Sequence, residues 1–163
     1  MPSPILVIGV GNEYRGDDGV GLVVARGLRA MNLPDMLISE SSGDGVALME
    51  AWKAAHTVIL IDAAASGRAP GTIQRFDALT QPMPTSCSFH STHAFGVAEA
   101  IGLARAFQQL PPRLIVYAIA GKRFAAGVGI SPQVAKAAQK VIAHISQMYD
   151  ERPSRFLDSA QQL

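Results

Sequence analysis

One short segment, residues 5 to 31, constrains the fold of this 163-residue chain more than any other. Its sequence is ILVIGVGNEYRGDDGVGLVVARGLRAM. The apolar run at residues 5 to 8 predicts a β-strand, and a glycine-rich turn with two adjacent aspartates follows it. Apolar residues then recur at three- and four-residue intervals, which predicts an amphipathic helix that packs back on the strand. They are Val20, Val23, Val24, Leu28 and Met31.

The turn between this strand and helix places acidic side chains at one edge of a sheet. Gly9 and Gly11 allow backbone angles that a β-carbon would resist, and Asp17 or Asp18 lies where a helix N-cap is expected. Asp18 then follows the carboxyl end of the first strand. In open parallel sheets, ligands bind at that edge.

The rest of the chain continues the alternation of strands and helices. We predict strands at residues 36 to 40, 57 to 63, 72 to 77 and 114 to 120, and helices at residues 46 to 55, from His93 onward and after Ser131-Pro132. The strand at 57 to 63 is nearly all apolar, as expected of a central parallel strand, and the strand at 72 to 77 is compatible with an antiparallel edge. Residues 79 to 89 form a long loop, and such loops are often functional. We therefore expect one domain over residues 1 to 150 and a polar tail over residues 151 to 163.

Composition excludes several functional classes. The formal net charge is +1 and the Lys and Arg residues are scattered, so the sequence lacks the basic cluster that is typical of nucleic-acid-binding proteins. The single cysteine, Cys87, excludes an internal disulfide framework and favours a reducing compartment. The N-terminus lacks the pattern of a secretory signal, and the longest apolar runs are far shorter than the ~20 residues of a membrane-spanning helix. We expect a soluble, cytoplasmic monomer with neither a nucleic-acid nor a membrane partner.

Two carboxylates and a histidine are the strongest candidates for chemistry. Asp62 ends the central strand, so it reaches the same edge as Asp18. Such a pair can hold a cation or a water, and an imidazole would complete a mixed nitrogen and oxygen site. His93, with His90 nearby, follows the long loop and opens a predicted helix. The other two histidines are elsewhere: His56 precedes a strand, at the opposite edge, and His144 lies on the last helix.

Simpler interpretations stay open for each residue. The aspartates can be helix or strand caps, and His90 can be a surface histidine. Cys87, His90 and His93 could form a local zinc cluster, although a second paired motif is missing. An NAD-linked oxidoreductase is a further alternative, but Tyr14 stands where the third glycine of a GxGxxG turn is required and the two aspartates would repel a pyrophosphate.

Over about residues 4 to 148 the sequence resembles the hydrogenase maturation proteases. The run Ile-Gly-Val-Gly-Asn-Glu-Tyr-Arg-Gly-Asp-Asp-Gly-Val-Gly, residues 8 to 21, is similar to the family's signature of Gly-x-Gly-Asn, an acidic pair and glycine. Asp62 at the end of TVILIDA, His93 in STHAFGVAEAI, and the segment Gly-Val-Gly-Ile-Ser-Pro at residues 127 to 132 match further family blocks in order.

The resemblance implies a three-layer α/β/α sandwich around a twisted, mostly parallel five-stranded sheet of the phosphorylase/hydrolase-like type. It also implies an endopeptidase, of aspartic type, that trims the C-terminal extension of a nickel-iron hydrogenase large-subunit precursor after nickel insertion. Asp18, Asp62 and His93 would bind nickel seated in the substrate and carry the catalysis, and Glu40 with residues 41 to 45 would contact the substrate's tail. A non-catalytic nickel or large-subunit chaperone on the same scaffold is the alternative.

The chain departs from the family pattern at three places. Glu13 and Tyr14 stand where apolar residues are common, and His93-Ala94 replaces the more usual His-Gly or His-Gln. Lys122 and Arg123 are basic where many members carry an acid. These departures leave the expected ligands in place and concern the identity of the partner hydrogenase.

Overall fold

The computed structural model describes residues 4–83, 88–89 and 93–152. Nine helices and strands occur there, together with a short 3-10 turn at Gly16–Gly19. In chain order they are β1 (Ile5–Val10), α1 (Val20–Ala30), β2 (Met36–Ser41), α2 (Gly45–Trp52), β3 (Thr57–Ala64), β4 (Ile73–Asp77), α3 (Val97–Ala106), β5 (Arg113–Ala120) and α4 (Pro132–Asp150).

The five strands form one sheet in the order β2-β1-β3-β5-β4. β1, β2, β3 and β5 run parallel, while β4 pairs antiparallel with β5 at the edge. The central position of β3 agrees with its continuous apolar sequence, because both faces of a covered parallel strand are buried. The predicted mostly parallel sheet with an antiparallel edge strand is confirmed.

Helices cover both faces of this sheet. On one face, α1 and α4 pack over a core that includes Val24, Ile59 and Val141. On the other face, α2 and α3 pack over a second core that includes Trp52, Leu60 and Ile101. The two cores give the three layers of an α/β/α sandwich, as predicted.

Several local predictions are wrong in detail. The N-cap of α1 is Gly19, not Asp17 or Asp18, since both aspartates lie one step earlier in the 3-10 turn. Gly11 has a φ of +150°, as expected for the turn, but Gly9 lies inside β1, where a β-carbon would approach that of Ala25 to 2.6 Å. Gly9 is therefore needed for the close approach of α1 and not for the turn.

The start of the third helix also differs from the prediction. His93 was expected in the first turn of a helix, but α3 begins at Val97, with Gly96 as its N-cap in an extended conformation. The Gly96 N–H is satisfied by the Glu99 carboxylate at 3.2 Å, which defines the helix start four residues after His93. His93 thus lies in the segment that leads into α3.

Other predictions fall outside the described residues. These concern Cys87, His90 and residues 153–163. Residues 79–83 and 88–89, from the predicted long loop, form no element beyond an isolated bridge between Phe89 and Ala64. Of the helices in the described ranges, none is long and apolar enough to cross a bilayer.

Candidate active site

The strand order of the sheet reverses between β1 and β3, which makes this a topological switch point. From β1 the chain passes over α1 to β2 on one side, and from β2 it returns over α2 to β3 on the other. Successive helices therefore lie on opposite faces, which opens a crevice beyond the carboxyl ends of β1 and β3. Ligands of open α/β sheets bind at such a switch point.

Asp18 and Asp62 both lie at this crevice. Asp18 follows β1 in the 3-10 turn, and Asp62 is the first residue of β3 beyond its pairing with β1, which ends at Gly9 and Ile61. Gly21 brings the two segments together, because a β-carbon there would collide with the carbonyl oxygens of Val10 and Ile61. The predicted convergence of these two acids at one edge is therefore observed.

The Asp62 carboxyl group is buried, and its two oxygens differ in their hydrogen bonding. Its exposed fraction is 1%. Oδ1 accepts a hydrogen bond from the Ala63 N–H at 2.8 Å, whereas Oδ2 has no hydrogen-bond partner within the described part of the chain. Burial raises the pKa of Asp62 well above its usual value, and the negative charge of Asp18 raises it further. Such a group is suited to hold a proton or to ligate a cation.

Asp17 is adjacent to Asp18 and is also buried, but its environment differs from that of Asp62. Its carboxylate accepts four hydrogen bonds: from the backbone N–H groups of Lys122 (2.8 Å), Arg123 (2.9 Å) and Ser131 (2.6 Å), and from the Ser131 hydroxyl (2.8 Å). Burial alone would raise the pKa of Asp17, but the hydrogen bonds from Ser131, Arg123 and Lys122 outweigh it and lower the pKa. Asp17 is thus a fully satisfied structural anion that ties the first turn to the loop after β5.

His93 lies on the α2/α3 side of the same edge. Its Nε2 is 3.1 Å from the hydroxyl oxygen of Ser42, in the loop between β2 and α2. The N–H of Gly45, the first residue of α2, also donates to the Phe95 carbonyl at 2.8 Å, so the end of this loop and the segment that contains His93 are joined. Because side chains alternate along β3, and Leu60 contributes to the α2/α3 core, Asp62 faces that side too.

The described residues contain no group of three His, Cys, Asp or Glu side chains arranged to hold a metal ion together. The structure brings Asp18 and Asp62 together and places His93 on the same side of the edge, but the three do not form a closed ligand set. His56 and His144 lie away from the edge, as predicted: His56 precedes β3 at its amino end, and His144 contacts Tyr117 from α4.

An ion-pair network borders the crevice on the β2 side. Glu40 accepts hydrogen bonds from Arg29 (2.9 Å) and Arg26 (2.8 Å), and these bonds, that from Arg29 most, lower the pKa of Glu40. Arg26 also reaches Glu13 at 2.9 Å. Glu13, Arg26 and Glu40 line a groove of about 310 Å³ together with Ser41 and Ser42, and this groove leads toward the turn containing Asp18.

Sequence reasoning missed the contact between Ser42 and His93 and the hydrogen bonds of Asp17. The sequence at Ser131 predicts only a helix start, yet the Ser131 hydroxyl donates to Asp17 and does not cap α4. The partners of Asp17 are 105 to 114 residues away in the chain, so no local pattern could have revealed them.

Comparison with known proteins gives a consistent result. The family model HycI, described as hydrogenase maturation protease, matches residues 25–148. A protein of Methanocaldococcus jannaschii assigned as a hydrogenase maturation protease is 31% identical over 147 residues, which cover 85% of this chain and 91% of that protein.

Solved structures share the fold. The hydrogenase maturating endopeptidase HybD from E. coli superposes with a TM-score of 0.72 at 19% identity, covering 92% of this chain and 94% of that one. The maturation protease HycI from Thermococcus kodakarensis gives 0.67 at 23% identity, covering 91% and 94%. The sequence matches and the shared fold agree: the chain belongs to the hydrogenase maturation protease family and is an endopeptidase.

Proposed function

We propose that this endopeptidase removes the C-terminal extension of a nickel-iron hydrogenase large-subunit precursor after nickel insertion. In this proposal Asp18, Asp62 and His93 recognise the nickel that the substrate carries. The enzyme then needs no metal of its own, because the ion arrives with the peptide to be cut.

The observation that carries the proposal is that Oδ2 of the buried Asp62 has no hydrogen-bond partner among the residues that the structure describes. A buried carboxylate oxygen without a hydrogen bond costs stability. In a native fold such a group calls for a functional explanation, such as a proton or cation that binds there. Asp62 lies beside Asp18 at the switch point, where ligands of open α/β sheets bind, and this position supports a functional explanation.

The donor set suits nickel as a substrate-borne ion. Imidazole is a favoured ligand of nickel, and carboxylates supply the oxygen donors of a mixed site. Since His93 is held by Ser42 and does not form a closed set with the two acids, docking of the precursor would complete the ligand set. Cleavage would therefore wait for a nickel-loaded precursor.

The same residues can supply the acid and base chemistry of peptide hydrolysis. The substrate's metal would polarise the scissile carbonyl or the attacking water. The ionised Asp62 carboxylate, whose pKa is raised, is a stronger base than an exposed aspartate and would accept the proton of the water. Proton transfer to the departing amine would then complete the cleavage.

The test compares nickel-loaded and nickel-free precursor by mass spectrometry of the large subunit before and after incubation. We expect the wild-type enzyme to remove the extension only from the nickel-loaded form. His93→Ala and Asp18→Asn should abolish this mass loss. His56→Ala is the matched control, because it removes a histidine at the opposite end of the sheet and should leave cleavage unchanged.

Three results would contradict the proposal. Equal cleavage of nickel-free precursor would show that the metal is not recognised, and normal cleavage by His93→Ala would remove that residue from the site. A loaded precursor that binds the wild-type protein but keeps its mass would favour the non-catalytic chaperone.

A further inference from the structure

A second structural feature lies next to Asp18 at the same edge. The turn after β1 and the loop after β5 pair with each other, and we call residues 14–16 together with residues 121–131 the rim strap. The Gly127 N–H donates to the Tyr14 carbonyl, and the Gly16 N–H donates to the Gly127 carbonyl, both at 2.9 Å. An isolated parallel bridge joins Arg15 to Gly127.

The rim strap is held in place by Asp17. This carboxylate binds the backbone N–H groups of Lys122, Arg123 and Ser131, and the Asp17 N–H donates to the Arg123 carbonyl at 2.8 Å. The strap is thus fixed at both ends to the turn that carries Asp18. Because the backbone of Lys122 and Arg123 makes these bonds, the two side chains are left to face solvent.

The outer surface of the rim strap combines exposed apolar groups with exposed positive charge. Tyr14 is 65% exposed and Val128 is 80% exposed. Arg15, Lys122 and Arg123 are also exposed, and within the described ranges none of these three cations forms an ion pair. This excess of positive charge is local to the rim strap, because the formal net charge of the whole chain is only +1.

We propose that the rim strap is a docking surface for the hydrogenase large-subunit precursor, and that it selects a precursor face with carboxylates beside an apolar side chain. This inference rests on the proposed function. Exposed charges at an interface set partner choice and association rate by charge complementarity, and tyrosine and arginine are enriched at such surfaces. The surface adjoins the crevice, since the Asp18 N–H donates to the Arg15 carbonyl at 3.2 Å.

The test measures binding separately from cleavage. The probe is the nickel-loaded large-subunit precursor, immobilised, and its dissociation constant is determined for the full-length wild type, for Lys122→Glu/Arg123→Glu and for Tyr14→Ser. We expect the double variant to bind about tenfold more weakly, which corresponds to about 1.4 kcal/mol. The wild-type affinity should fall as salt rises, while the affinity of the double variant should change little. Tyr14→Ser should weaken binding without altering this salt dependence.

The matched control is Arg113→Glu/Lys140→Glu. It makes the same change in net charge at exposed positions on β5 and α4, away from the rim strap, and should bind like the wild type. Thermal melting confirms that each variant is folded. Unchanged affinity of Lys122→Glu/Arg123→Glu, equal weakening by the control, or a wild type that does not bind would overturn the docking proposal. Binding that follows the expected pattern without any mass loss would overturn the proposed cleavage and leave the docking surface in place.

Discussion

Asp17→Asn tests whether the first turn depends on the buried anion. The carboxylate accepts four hydrogen bonds, three of them at Oδ2 and the Ser131 N–H at Oδ1. An asparagine can direct its oxygen toward only one of these two sets. The less costly orientation keeps the amide oxygen at the position of Oδ2 and places the NH₂ group opposite the Ser131 N–H. The Ser131 N–H then has no acceptor, and the three remaining hydrogen bonds are weaker because their acceptor is no longer charged.

These losses should lower the free energy of unfolding by about 3 kcal/mol, since a buried unsatisfied donor costs about 1–3 kcal/mol and bonds to a charged group are worth more than neutral ones. In a chain of this size that loss corresponds to a fall in Tm of about 6–12 °C. Urea unfolding and thermal melting measure both quantities. Ser131→Ala is the control: it removes only the hydroxyl and keeps the backbone N–H, so it should cost about 1 kcal/mol.

The pH dependence of stability gives an independent check on Asp17. Its pKa is lowered in the folded state from the ordinary 3.8, so its contribution is present above pH 3.8 and is lost as pH falls through the folded-state pKa. Asp17→Asn should therefore lose stability at neutral pH and approach the wild type in acid. At a temperature where it is folded, it should still process precursor, whereas Asp18→Asn should not. An Asp17→Asn protein as stable as the wild type at pH 7 would refute the structural role.

Three further predictions concern neighbouring residues. Asp62→Asn should raise the free energy of unfolding at pH 7 by about 1 kcal/mol while abolishing cleavage, because functional sites are often held at a cost in stability. Because the pKa of Asp62 is raised in the folded state, the wild type regains stability as Asp62 becomes protonated in acid. The difference in the free energy of unfolding between Asp62→Asn and the wild type should therefore shrink as pH falls toward 3.8, and melting curves at several pH values would measure it. Ser42→Ala should slow cleavage only a few-fold by loosening His93, and a complete loss in the mass assay would instead indicate a serine nucleophile. Glu40→Gln should lower stability by less than about 1 kcal/mol in urea unfolding, because the ion pairs to Arg26 and Arg29 are largely exposed.

Local sequence patterns were sufficient for much of the fold. The apolar run of β3 and the amphipathic stripe of α1 are patterns of residues close together in the sequence, so each element can be predicted locally. The structure confirms both elements. The placement of Asp18 and Asp62 followed from the rule that the carboxyl ends of parallel strands share one edge. The predicted helix begins at His93, but Gly96 and Glu99 define the start of α3 at Val97, so the first four predicted residues lie before the helix.

The two adjacent aspartates show why the site itself could not be predicted in the same way. In the sequence Asp17 and Asp18 are equivalent candidates for a cap or a ligand, and only contacts more than 100 residues apart distinguish them. Asp17 is satisfied by four donors from the loop after β5, and this anchors the turn. With the turn anchored, Asp18 stays close to the buried Asp62, although their charges repel. The hydrogen bonds of Asp17 thus offset the cost of keeping two carboxylates together in the crevice, and loss of Asp17 should loosen the pair before it changes the chemistry.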